Sequence, residues 1–132
     1  MMNKIVEQGE FDIAENGFTI ETGLAWPCIL IGIYDKRLKR AYLIHEDIAA
    51  HNGKLSEFIE AVKAGSNAED LVINVRGGSE SARDSDFDAV EGNRKAVMDS
   101  LDNFFGKSQI NVKWRQSIMR IDTETGKFSF RD

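Results

Sequence analysis

The sequence predicts an α+β domain in which helices pack on an extensively antiparallel, sandwich-like β core. Short β-branched runs outnumber the helix-period segments, and both helix-period segments come after the first four strands. No internal repeat, low-complexity tract or Pro/Gly/Ser linker divides the chain.

Each element has a local cause. Residues 10–14 and 18–22 alternate apolar and polar side chains around the turn signal Glu15-Asn16-Gly17, which predicts a hairpin. The run from Cys28 to Tyr34 is apolar and rich in β-branched residues, as in a buried strand. A polar turn over 35–38 leads to the returning strand 40–45. From Gly53 the period changes, with Leu55, Phe58, Ile59 and Val62 three and four residues apart, so a helix is expected that ends near Gly65. Leu71 to Val75 reads as another strand, stopped by Gly77 and Gly78, and a polar loop follows from Ser79 to Asp88. Val90, Val97, Leu101, Phe104 and Phe105 mark a second helix closed by Gly106. Strands are then expected over 110–114, 117–121 and 127–130, with a turn at Thr125-Gly126.

The 132 residues suit one domain with one core. Hydrophobic residues make up 42% and charged residues 30%, the balance of a globular chain rather than a disordered one. No apolar run approaches the roughly 20 residues that span a bilayer, so membrane insertion is not expected. The start of the chain has no apolar segment of the secretory type, and a cytoplasmic setting is expected. The net charge of −5 argues against nucleic acid as the main ligand. A single cysteine cannot form an internal disulfide, so packing must hold the fold.

That cysteine is the chemical centre of the sequence. In a symmetric hairpin, opposed positions have a constant sum; 35 and 38 give 73, and so do Cys28 and His45. This register makes them cross-strand neighbours, with Cβ atoms roughly 4.5–5.5 Å apart. An imidazole so placed can take the thiol proton and later return one to a leaving amine. Cysteine is also among the most buried residue types, and one that starts an apolar strand is more often core filler.

At these residues the sequence resembles the CheD family of chemoreceptor glutamine deamidases and, more distantly, the deamidating toxins of the cytotoxic necrotizing factor type. The similar features are Thr22 six residues before Cys28, Gly23-Leu24 between them, the strand "CILIGIYD", and His45 seventeen residues after the cysteine. "VRGGS" is similar to the family's strand and double glycine, and "ETGKFSFR" to its terminal hairpin. The likeness runs in order from about Glu10 to Arg131. It implies one CheD-like domain over residues 1–132, a layered β core flanked by helices, and a protein-glutamine deamidase that needs no cofactor or metal. Cys28 would be the nucleophile, His45 the base and acid, and Thr22 the group that orients the imidazole. Trp26, Gly77, Gly78 and Ser79 would border the pocket, Trp26 as either its wall or its plug. The expected partner is a protein, as substrate or as regulator.

Trp26-Pro27 departs from the small residues that the family has just before the cysteine, and proline has no N–H to offer an oxyanion. This departure motivates a rival reading, a non-catalytic interaction module with the same fold. Other motifs fail on spacing. "HEDIAAH" has Ala49 where a zincin needs its second histidine, and Asp84, Asp86 and Asp88 are followed by Ala89 and Lys95 at the decisive calcium-loop positions. An acidic segment leading into a helix N-terminus explains the three aspartates. "GGSES" lacks the last glycine of a nucleophile elbow, and no phosphate-binding glycine motif occurs. Lys36, Arg37, Lys39 and Arg40 cluster at the hairpin tip, either as a solvated turn or as a docking patch for an acidic partner.

Overall fold

Two β-sheets lie face to face, and two helices cover the outer side of one of them. The computed structural model describes residues 2–23, 28–46, 54–78, 84–106 and 109–132. Among the described residues the strands are β1 (Asn3–Val6), β2 (Phe11–Ala14), β3 (Thr19–Thr22), β4 (Ile29–Asp35), β5 (Arg40–Glu46), β6 (Leu71–Gly77), β7 (Gln109–Val112), β8 (Ile118–Asp122) and β9 (Lys127–Arg131). The helices are α1 (Leu55–Gly65), which precedes β6, and α2 (Asp84–Phe105), which follows it. One sheet has the order β1-β3-β8-β9, the other β2-β5-β4-β6-β7. Neither closes into a barrel. Pairing is antiparallel except for β1 with β3 and β6 with β7.

The β4 sequence explains the layering. A strand buried on both faces reads as a continuous apolar run, and all seven residues of β4 are buried. Leu30 and Tyr34 face the second sheet. Ile29, Ile31 and Ile33 face the helices, where Phe58, Ile59 and Val62 of α1 and Val97, Leu101 and Phe105 of α2 cover them. Between Leu30 and Tyr34 sits Gly32, where the second sheet's side chains press against the β4 backbone. A Cβ there would collide with Met119 Sδ and come within 3.0 Å of Ile121 and Phe128.

Several expectations are corrected. Residues 10–14 and 18–22 do not form a hairpin: β2 pairs with β5, and β3 pairs with β1 and β8. The turn is present, with Asn16 and Gly17 at φ 59° and 82°, but it carries the chain from one sheet to the other. Each short strand has one apolar face, and opposite sheets let Ala14 and Ile20 bury into the same interior. The strand β1 goes unread in the sequence because Val6 alone is buried in it. The second helix begins at Asp84, so the latter part of the expected loop is its first turn. The β4–β5 turn is two residues longer than the sequence arithmetic assumes, since Asp35 pairs with Arg40 rather than with Leu38. Asp35 Oδ1 accepts the N–H groups of Arg37 and Leu38, and Lys39 completes the loop at φ 53°. No helix among the described residues is long and apolar enough to cross a membrane.

Candidate active site

Strands β3, β5, β6 and β9 end, and β4 and β8 begin, at one end of the sandwich. The longer turn shifts the β4–β5 register by two positions. His45 therefore lies opposite Leu30, and Leu30 lies opposite Arg76 of β6. Cys28 and His45 are not direct cross-strand partners, as the sequence arithmetic predicts, but diagonal neighbours. A shift of two preserves the alternation of side chains, so both stay on the inter-sheet face. Cys28 belongs to the same buried cluster as Leu30 and Leu43. Diagonal neighbours stand about 7–8 Å apart, compared with about 5 Å for opposed residues.

The backbone of His45 is fixed from the other side. Its N–H donates to Glu10 O at 3.0 Å, and its carbonyl accepts from Gly9 N at 2.8 Å. The facing sheet presents Thr22 at the end of β3, next to Val6. Thr22 Oγ1 accepts the N–H of Met119 at 3.1 Å, and Met119 is opposite Phe130. Thr22-Met119-Phe130 thus forms a row that faces the row His45-Leu30-Arg76. The Arg76 guanidinium lies 4.0 Å from the centre of the Phe130 ring, which fixes one end of the two rows against each other. Thr22, Cys28, His45 and Arg76 are all buried.

Gly77 and Gly78 stand against the cysteine backbone. Gly78 N–H donates to Cys28 O at 2.8 Å, and Gly77 N–H donates to Arg115 O at 3.0 Å. At φ 79° Gly77 adopts a conformation that other residues resist, and a Cβ on it would collide with Cys28 O. Trp114 packs against Gly78 and the Arg94 guanidinium, while Arg94 Nε donates to Gly78 O at 2.8 Å. Trp26 and Ser79, expected at the pocket, lie outside the described residues.

Two residues at this end escape the sequence reading. Arg76 retains only 4% exposure. Its Nη1 donates to Val75 O at 2.9 Å and Asn111 O at 3.2 Å, and its Nε has no acceptor among the described residues. Burial, reinforced by Arg115, pushes its pKa below the ordinary guanidinium value. An arginine inside the apolar run "LVINVRGG" is the signal that could have found it. Ser117, the second, is buried at the start of β8 on the Met119 side, with its N–H on Arg131 O at 3.0 Å. Glu46 alternates to the helix side of β5, away from this face. Among the described residues no three His, Cys, Asp or Glu side chains converge as a metal site.

The arrangement gathers a thiol, an imidazole and a hydroxyl beside a buried cation. That inventory suits nucleophilic attack on a carbonyl carbon, with proton transfer by the imidazole. No protein-family model matches the chain, and no curated protein is significantly similar to it.

Proposed function

We propose that the protein is a cytoplasmic, cysteine-dependent amidohydrolase that deamidates glutamine side chains of a protein substrate, as its resemblance to the CheD family implies. The observation that carries the reading is that Thr22, Cys28 and His45 belong to the same end of the sandwich, with Cys28 and His45 on one inner face and Thr22 on the sheet opposite. His45 takes the Cys28 proton, and the thiolate attacks the carboxamide carbon. The C–N bond then breaks, the imidazolium gives its proton to the departing ammonia, and a thioester remains. Water, deprotonated by His45, attacks the thioester and releases glutamate with the free thiol. Thr22 acts on the imidazole's orientation rather than on the substrate.

A second reading has its own observation. Leu30, not Cys28, stands opposite His45, and Pro27 offers no N–H before the nucleophile. A binding module that keeps the fold without the chemistry fits both facts. Incubation with candidate protein partners, followed by peptide mass spectrometry, separates the two. The deamidase reading expects glutamine-to-glutamate conversion that drops by more than roughly 10³-fold in Cys28→Ala. Partner binding that survives Cys28→Ala, with no conversion by the unsubstituted protein, would establish the module instead. Thiolate absorbance against pH gives an independent measure: an activated Cys28 titrates below the ordinary thiol value of about 8.5, and His45→Ala restores it.

A further inference from the structure

The sheet β1-β3-β8-β9 carries no helix on its outer face among the described residues, unlike its partner sheet. Along its β8–β9 half lies a cavity of about 370 Å³ lined by Phe130 together with Ile118, Arg120, Asp122, Lys127, Ser129 and Arg131. Strand alternation and the β8–β9 register put all of these side chains except Phe130 on the outer face. Three of them are cations in a chain whose net charge is −5.

Glu21 stands opposite Arg120 and Asp122 opposite Lys127, but close ion pairs are few. Arg131 approaches Glu21 only to 3.6 Å. Arg120 and Lys127 make no ion pair among the described residues, and Asp122 Oδ1 is engaged by the N–H groups of Glu124 and Thr125. The hairpin tip is different. There Arg37 pairs with Asp70 at 3.2 Å and Arg40 with Glu15 at 3.0 Å, which leaves only the two exposed lysines, Lys36 and Lys39, without an ion pair among the described residues.

Spacing narrows the ligand. Lys127 and Arg131 are four residues apart on β9, about 13 Å along the strand at about 3.4 Å per residue. Arg120 is opposite Ser129, midway between them. The positive charges thus recur every two residues, the interval at which an extended chain repeats side chains on one face. β9 is also an edge strand, whose outer backbone groups can pair with an added strand. Asp122 and Glu21 interrupt the patch, and with the net negative charge they disfavour a continuous phosphate backbone.

We propose that the outer β8–β9 face docks an extended acidic segment of a protein partner, with carboxylates at alternate positions facing Lys127, Arg120 and Arg131. The proposal is independent of the thiol chemistry, so Cys28→Ala binds equally well. The test is fluorescence anisotropy at low salt, on the full chain, with a labelled peptide of alternating Glu and Ser. Comparison probes are a peptide of the same composition with its glutamates contiguous, and an oligothymidylate. The alternating peptide should bind at least about fivefold more tightly than either probe, and raised salt should weaken it. Arg120→Gln with Lys127→Gln should cost about tenfold in affinity, whereas Lys36→Gln with Lys39→Gln at the hairpin tip should cost nothing. These positions are exposed, and circular dichroism verifies that both variants fold. Absence of binding at low salt, equal binding of the contiguous peptide, tighter binding of the oligonucleotide, or an unaffected Arg120/Lys127 variant would each overturn the proposal.

Discussion

Tyr34 points from β4 into the space between the sheets and donates its hydroxyl to Thr123 O at 2.8 Å. Burial first, then the charges of Asp122, Glu124 and Asp35, push its pKa above the ordinary tyrosine value. The folded form therefore holds this proton more tightly than the unfolded chain. Its contribution is fully present below about pH 10 and is lost as pH rises through the higher folded value. Tyr34→Phe should lower stability by about 1 kcal/mol at neutral pH, through the lost hydrogen bond. It should also flatten the decline in stability above about pH 10. Denaturant titrations at a series of alkaline pH values measure both; an unchanged alkaline slope would assign the decline to another group. The same scale shows what a sequence discloses about a site. That Cys28 and His45 share a face was legible, because alternation depends only on parity. Their offset was not, because it depends on a loop closed by the Asp35 carboxylate and by Lys39 in a left-handed conformation. Arg76 was hidden for another reason: its burial requires the Phe130 ring from the opposite sheet, and no local pattern announces that ring.

At the level of elements, the end of β6 fixes the cysteine. Gly77→Ala should destabilise the protein by about 2 kcal/mol or more, since it combines an unfavourable φ with a collision against Cys28 O. Gly23→Ala meets nothing within 4 Å and is the matched control. Thermal melts of the two variants test the assignment, and equal melting temperatures would refute it. Helix α1 was legible nearly to the residue, because Phe58, Ile59 and Val62 form one stripe against one sheet. The link between β2 and β3 was not, since a turn motif fixes a reversal of the chain but not whether the next strand joins the same sheet. Ala14 and Ile20 meet across the interior, and that tertiary burial decides the outcome.

For the molecule as a whole, β4 joins two cores. Its Ile31 and Ile33 lie under the helices, and its Leu30 and Tyr34 lie against the second sheet. Loss of either layer exposes a fully buried strand, so the layers should unfold together. Chemical denaturation followed by tryptophan fluorescence and by far-ultraviolet circular dichroism should give superimposable transitions. Two separated transitions would mean that the β1-β3-β8-β9 sheet is an independent unit. The class of fold was readable from the counts of apolar runs, but the layer order was not, because it rests on pairings between strands distant in the chain.

The order of those pairings matters during synthesis. The helix-bearing sheet has four of its five strands, β2, β5, β4 and β6, before residue 78, yet β8 and β9, which cover the inner face of β4, come only after residue 117. As the chain leaves the ribosome, Leu30 and Tyr34 therefore stay exposed until β8 and β9 emerge. Nascent chains stalled before β8 should be far more open to proteases and chaperones than chains stalled after β9, so the final hairpin acts as the latch of the fold.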